Sequence, residues 1–146
     1  MKSILFSLLT LITVNAFAQT VPTHPTQPNQ MMMGEWISEY PIYNQGTQIH
    51  TRFYFTPTTL NLTATCVFPY TSLSTSLMTN VQYNQNDLYI LENKSSTVND
   101  GYRYCNIAVQ RDRWQFYFSG NGKLVIFTPI PYNGRFDLIR PTQPTP

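Results

Sequence analysis

Charge is scarce in this chain of 146 residues: 9 Lys and Arg stand against 7 Asp and Glu, charged residues make up 11% of the sequence, and the net charge is +2. No cluster of Lys and Arg exists to give the electrostatic footprint of a nucleic-acid binder, so no nucleic-acid partner is expected. Low charge combined with 42% hydrophobic and 14% aromatic residues also excludes a charge-rich disordered chain and fits one domain with a packed core. Histidine is almost missing, with His24 in a proline-rich stretch and His50 the only other. Cys66 and Cys105 have no Cys, His or carboxylate neighbours at metal-ligand spacing and no histidine placed to activate a thiol. The acidic residues are scattered, mostly at expected strand ends and turns, and there is no nucleophile elbow or phosphate loop. These gaps argue against an enzyme: no catalytic residue, metal ligand or cofactor is expected, and His50 reads as a surface or pocket polar group.

What is present starts at the N-terminus. Lys2, an apolar run from Ile4 to Val14 and Ala16-Phe17-Ala18 have the form of a secretory signal peptide, residues 1–18, cleaved after Ala18. The run falls short of the roughly 20 apolar residues that cross a bilayer, so no membrane anchor is expected. Export implies a secreted or periplasmic protein and an oxidising compartment, in which Cys66 and Cys105 most simply form one disulfide. In the chain-entropy view such a bridge stabilises by about 3–4 kcal/mol.

Two proline-rich tails bracket the part that can fold. Residues 19–33 carry Pro22, Pro25 and Pro28 at every third position, and 141–146 repeat the Pro-Thr-Gln-Pro of 25–28. That spacing favours extended, polyproline-type tails. Met31–Met33 is expected to pack against the bottom of the domain rather than bind metal.

Between the tails the class is all-β. Short runs rich in Val, Ile, Thr, Tyr and Phe alternate with turn signals every 8–12 residues. Nine strands are expected: Gly34–Tyr40, Thr47–Phe55, Leu60–Val67, Leu77–Tyr83, Asp87–Glu92, Tyr102–Gln110, Arg113–Ser119, Lys123–Thr128 and Arg135–Arg140. Asn44-Gln45-Gly46, Asn99-Asp100-Gly101 and Asn133-Gly134 supply the positive φ angles of tight hairpins. Short junctions make neighbouring strands antiparallel and sequential. Alternation places Ile49, Phe53 and Phe55 on one face against His50, Arg52 and Tyr54, and Trp114, Phe116 and Phe118 against Arg113, Gln115 and Tyr117. Both thiols fall on apolar faces, but on strands that a sequential meander does not make neighbours. A bridge between them therefore requires a flattened barrel or a strand that bends across.

A meander of about eight strands leaves raw edges unless first and last strands pair, as in a single antiparallel up-and-down barrel. Here the first strand opens Gly34-Glu35-Trp36 and the last ends Phe136-Asp137-Leu138-Ile139-Arg140. A glycine-x-tryptophan at the start with an arginine at the end resembles the lipocalin-like, or calycin, superfamily. The segment Phe53-Tyr54-Phe55-Thr56-Pro57 and the Leu-x-Ile pairs at 88–90 and 124–126 are similar to small bacterial lipocalin-like domains. The resemblance implies a barrel over 34–140 whose structural residues are Gly34, Trp36 and an arginine, Arg140 or Arg135, packed across the indole. It also implies a small apolar or amphipathic ligand in the barrel, for which Phe53, Tyr54, Tyr104, Trp114 and Phe116 are the candidate contacts. The competing expectation is a protein partner, met by an interaction module such as a small β-barrel protease inhibitor acting through its N-terminal tail. A cavity of about 300 Å³ or more lined by Tyr and Phe would favour the ligand.

Overall fold

The computed structural model describes residues 30–129 and 134–142. The expected signal peptide, residues 19–29 of the first tail and the last four residues of the second lie outside the described residues. After a 3₁₀ turn at Gln30–Met32, eleven strands follow: β1 Gly34–Ser38, β2 Ile42–Asn44, β3 Thr47–Phe55, β4 Thr59–Phe68, β5 Thr71–Asn84, β6 Asp87–Ile90, β7 Lys94–Asn99, β8 Tyr104–Val109, β9 Arg113–Phe118, β10 Leu124–Phe127 and β11 Arg135–Ile139.

Eight strands close a ring in the order β1, β3, β4, β5, β6, β9, β10, β11 and back to β1, every pair antiparallel. Closure rests on Trp36 opposite Phe53 on one side of β1 and Ile37 opposite Ile139 on the other. β2 is an extra strand that pairs with the first half of β3, where β1 has already left it. The β2–β3 connection has Gln45 at φ 48° and Gly46 at φ 81°, the left-handed geometry that matches strand twist in a two-residue hairpin. Inward positions hold the core: Phe53 and Phe55 of β3, Leu60 and Leu62 of β4, Leu88 and Ile90, Leu124 and Ile126 are all buried. Outward positions of β4 and β5 carry mainly Asn, Thr, Ser and Gln.

Two expectations are corrected. The run Tyr102–Gln110 is not a barrel stave: its strand β8 pairs only with β7, so β6 skips this hairpin and pairs with β9. The ninth strand is thereby accounted for, and the strands are not all sequential neighbours. β7 escaped notice because Lys-Ser-Ser-Thr-Val-Asn alternates short polar residues with almost nothing apolar, and its turn residues read as loop. The hairpin lies on the inner-facing side of β4 and β5, which run past the rest of the barrel. There Ala64, Cys66 and Cys105 form a second buried cluster flanked by Phe68, Leu73, Val98 and Ile107. The hydroxyls of Thr75 and Ser96, 2.7 Å apart, tie β5 to β7. Cys66 and Cys105 are joined in a disulfide with 5.7 Å between their Cα atoms. No stave bends across to reach the other, because the folded-over hairpin carries Cys105 to Cys66.

Candidate functional site

The barrel has two ends with different chemistry. At the bottom, the Arg140 guanidinium lies 3.9 Å from the centroid of the Trp36 ring. Its Nη1 donates to the carbonyl of Glu35 at 3.0 Å and its Nη2 to that of Met31 at 2.7 Å. The indole Nε1–H donates to the carbonyl of Met32 at 2.8 Å, and the Met32 side chain is fully buried. Met32 therefore packs under the barrel and belongs to the domain core rather than to an extended tail. Gly34 sits at φ 92°, and a Cβ there would meet Arg140 Nη1 at 3.1 Å. Burial lowers the affinity of the Arg140 guanidinium for its proton. Arg135 is elsewhere, bonded to Asp137 at 2.9 Å and 6.0 Å from the Phe127 ring. Arg140 is the arginine on the tryptophan.

At the other end the β2–β3 and β7–β8 turns, with Phe68 at the end of β4, border a mouth. Inside it is a chamber of about 240 Å³ between β2 and β3 on one side and β8 on the other. Ile49, Phe53, Leu62, Trp114 and Phe136 are among its apolar lining, and Asn44, Asn106, Thr51 and Thr128 contribute polar side chains. Four consecutive residues of β8, Asn106 to Val109, line it. A strand that presents consecutive residues meets the chamber edge-on, with backbone donors and acceptors as well as side chains. The disulfide at Cys105 fixes that edge one residue away.

Of the candidate contacts, Phe53 and Trp114 line the chamber, while Phe116 is buried in the core beyond it. Tyr54 and Tyr104 do not face it. Tyr54 stands on the outer face, 50% exposed, and Tyr104 near the hairpin tip is 70% exposed. Phe and Trp, not Tyr, make the aromatic lining, and the volume of about 240 Å³ falls below the roughly 300 Å³ at which the ligand would be favoured over a protein partner. Most strand tyrosines alternate outward, which is what β-propensity alone provides. Sequence reasoning missed Ile42, Asn44 and the β8 edge, because β2 and the β7–β8 pairing carried no periodic signal.

Just outside the chamber is a second cleft of about 220 Å³, bordered by Asn44, Gln45, Thr47, Tyr102, Arg103, Tyr104 and Asn106. Asn44, Ile49 and Asn106 line both spaces. Asp100 shapes its edge by accepting backbone N–H bonds from Tyr102 at 3.0 Å and Arg103 at 2.8 Å. These bonds and the neighbouring Arg103 hold its carboxyl below the ordinary value. The Arg103 head is 3.5 Å from Asp100 and 5.4 Å from the Phe68 ring centroid. His50 lies away from both spaces, outward on β3 beside Arg52, Thr63 and Thr65. Six of the seven carboxylates are in ion pairs, Glu35–Arg52, Glu39–Lys123 and Asp87–Arg113 among them, and Asp112 accepts from the backbone N–H of Arg113. Among the described residues no helix is long and apolar enough to cross a membrane.

Comparison of the chain with family models, with curated proteins and with solved structures returns no match.

Proposed function

We propose that this chain is a secreted or periplasmic lipocalin-like protein that binds a small apolar or amphipathic ligand in the chamber at the mouth of its barrel. The observation that carries the reading is the chamber itself: about 240 Å³, walled by Phe53, Leu62, Trp114 and Phe136, with a few polar atoms at its rim. A dry apolar cavity of about 150 Å³ already accepts benzene, whereas drug-sized ligands occupy about 300–1,000 Å³. The ligand body is therefore one ring or a short chain. Calycin membership is supported by the bottom closure, in which Gly34, Trp36 and Arg140 act as one unit. Export is supported by the N-terminal pattern of residues 1–18 and by the disulfide.

The alternative, a protein-interaction module acting through its N-terminal tail, draws on residues 19–29. Deleting 19–29 separates the two readings. Deletion through Met33 would not, since it removes the buried Met32 from the core. With residues 19–29 removed, a hydrophobic fluorescent probe should still bind saturably and change the emission of Trp114. Loss of probe binding in a deletion variant that still unfolds cooperatively would favour the tail.

A further inference from the structure

We propose that the cleft outside the chamber is a head-group subsite for a neutral, polyhydroxylated ring, so that the ligand of the mouth is a sugar carrying a small apolar group. This inference rests on the chamber reading above and specifies what lies outside the chamber.

The first reason is continuity. Asn44, Ile49 and Asn106 belong to both walls, so the two spaces lie side by side and one ligand long enough to pass these residues reaches both. The two spaces, about 240 and 220 Å³, each have room for about one ring. The second is the pattern of donors and acceptors. Asn44, Gln45 and Asn106 each offer an amide that both donates and accepts, and Thr47 adds a hydroxyl. None of these four side chains makes a hydrogen bond among the described residues. A row of sugar hydroxyls, each donor and acceptor at once, satisfies groups of this kind, whereas an alkyl chain leaves them unpaired.

Charge is the third reason. Among the described residues Arg103 is the one charged side chain lining the cleft, and its Nε is 3.5 Å from the Asp100 carboxylate. A carboxylate or phosphate head competes with Asp100 for the one cation, and an ammonium head meets no unpaired carboxylate there, so neither gains much. A neutral head needs no counter-charge. The fourth reason is the phenol pair. Tyr102 and Tyr104 are 95% and 70% exposed, with ring faces free to stack on the apolar face of a pyranose, and tyrosine gives such contact at low entropic cost. The cleft is also held in shape on two sides, by the Cys66–Cys105 bridge and by the Asp100 cap of the hairpin turn.

The test uses the full mature chain and titrates benzyl alcohol, a panel of benzyl β-glycosides (glucoside, galactoside, mannoside and N-acetylglucosaminide) and the corresponding free sugars, read by calorimetry and Trp fluorescence. At least one benzyl glycoside should bind about tenfold or more tightly than benzyl alcohol, the increment of one or two net hydrogen bonds. Tyr104→Ala should abolish that advantage while leaving benzyl alcohol binding and thermal stability unchanged. Benzyl alcohol binding with no glycoside exceeding it would overturn the subsite and leave the chamber reading intact. If neither the alcohol nor any glycoside binds, both readings fall. Equal loss of alcohol and glycoside affinity in Tyr104→Ala would also overturn the subsite.

Discussion

Arg140 and Trp36 lie at nearly opposite ends of the barrel sequence and stack with 3.9 Å between guanidinium carbon and ring centroid. The stack joins first strand to last, and both partners are also bonded to the 3₁₀ turn before β1, Trp36 to Met32 and Arg140 to Met31, while Arg140 also donates to Glu35 of β1 itself. Trp36→Ala should therefore destabilise by about 3–5 kcal/mol, the range for a buried aromatic removed from a core. Arg140→Lys should cost about 1–3 kcal/mol, since a lysine keeps the charge but cannot stack flat while donating to two carbonyls. Denaturant midpoints measure both. A Trp36→Ala loss under 1 kcal/mol would show that the closure carries no weight.

Gly34 makes room for that stack. At φ 92° and with Arg140 Nη1 3.1 Å from where a Cβ would stand, Gly34→Ala meets backbone strain and a contact at once. The expected loss is about 1–3 kcal/mol. In the Arg140→Ala background the steric part should shrink, so a double-mutant cycle should show coupling between the two sites. Additive losses would mean that the backbone angle alone requires glycine.

The bridge between Cys66 and Cys105 spans 39 residues of sequence, for which the chain-entropy model gives about 4 kcal/mol. Replacing both cysteines by Ala should lower the thermal midpoint. It should also weaken probe binding, because Cys105 anchors the β8 edge of the chamber. Two freely alkylated thiols in the untreated, denatured protein would contradict the bridge itself.

Acid should loosen the hairpin before it loosens the barrel. Asp100 is held below its ordinary value by the backbone N–H groups of Tyr102 and Arg103, and Glu92 by the backbone N–H of Asn80 and by Lys94. A carboxyl depressed in the fold contributes fully above the ordinary carboxylate range, about pH 4, and its contribution disappears as pH falls through the lower folded value. Stability should be level from neutrality to about pH 5 and decline below about pH 4. In Asp100→Asn the neutral plateau should drop and the acid decline become shallower. A wild-type protein that gains stability on acidification would contradict this assignment.

The barrel was legible because its staves obey one simple rule. β3 was expected at Thr47–Phe55 and is found there, since alternating Ile, Phe and Phe leave one apolar face to bury. The bottom was legible in part: the resemblance to lipocalin-like barrels placed Gly34 and Trp36 under an arginine, but whether that was Arg140 or Arg135 was left open until the stack of Arg140 on Trp36. The mouth was not legible. β7 and β2 are held by partners rather than by their own hydrophobic pattern, so a sequence of Lys, Ser, Thr and Asn gave no sign of a hairpin folded against β4 and β5. Tyr54 and Tyr104 were expected at the ligand on the strength of residue type, but alternation turns Tyr54 outward and the hairpin carries Tyr104 to the rim. The cysteines offered the one available clue. Their bridge did not fit neighbouring staves of a sequential meander, and the sequence reading met that conflict with a flattened barrel or a bent strand, whereas the β7–β8 hairpin leaves the ring and carries Cys105 to Cys66.

The most direct test of the account is a probe titration of the wild-type chain beside Ala108→Phe, which places a ring in the chamber from the β8 wall. Wild type should bind one hydrophobic probe saturably and with a change in Trp114 emission, and Ala108→Phe should lose that binding while unfolding at a similar temperature. Equal binding by both proteins, or no saturable binding by a cooperatively folded wild type, would contradict the chamber as the binding site.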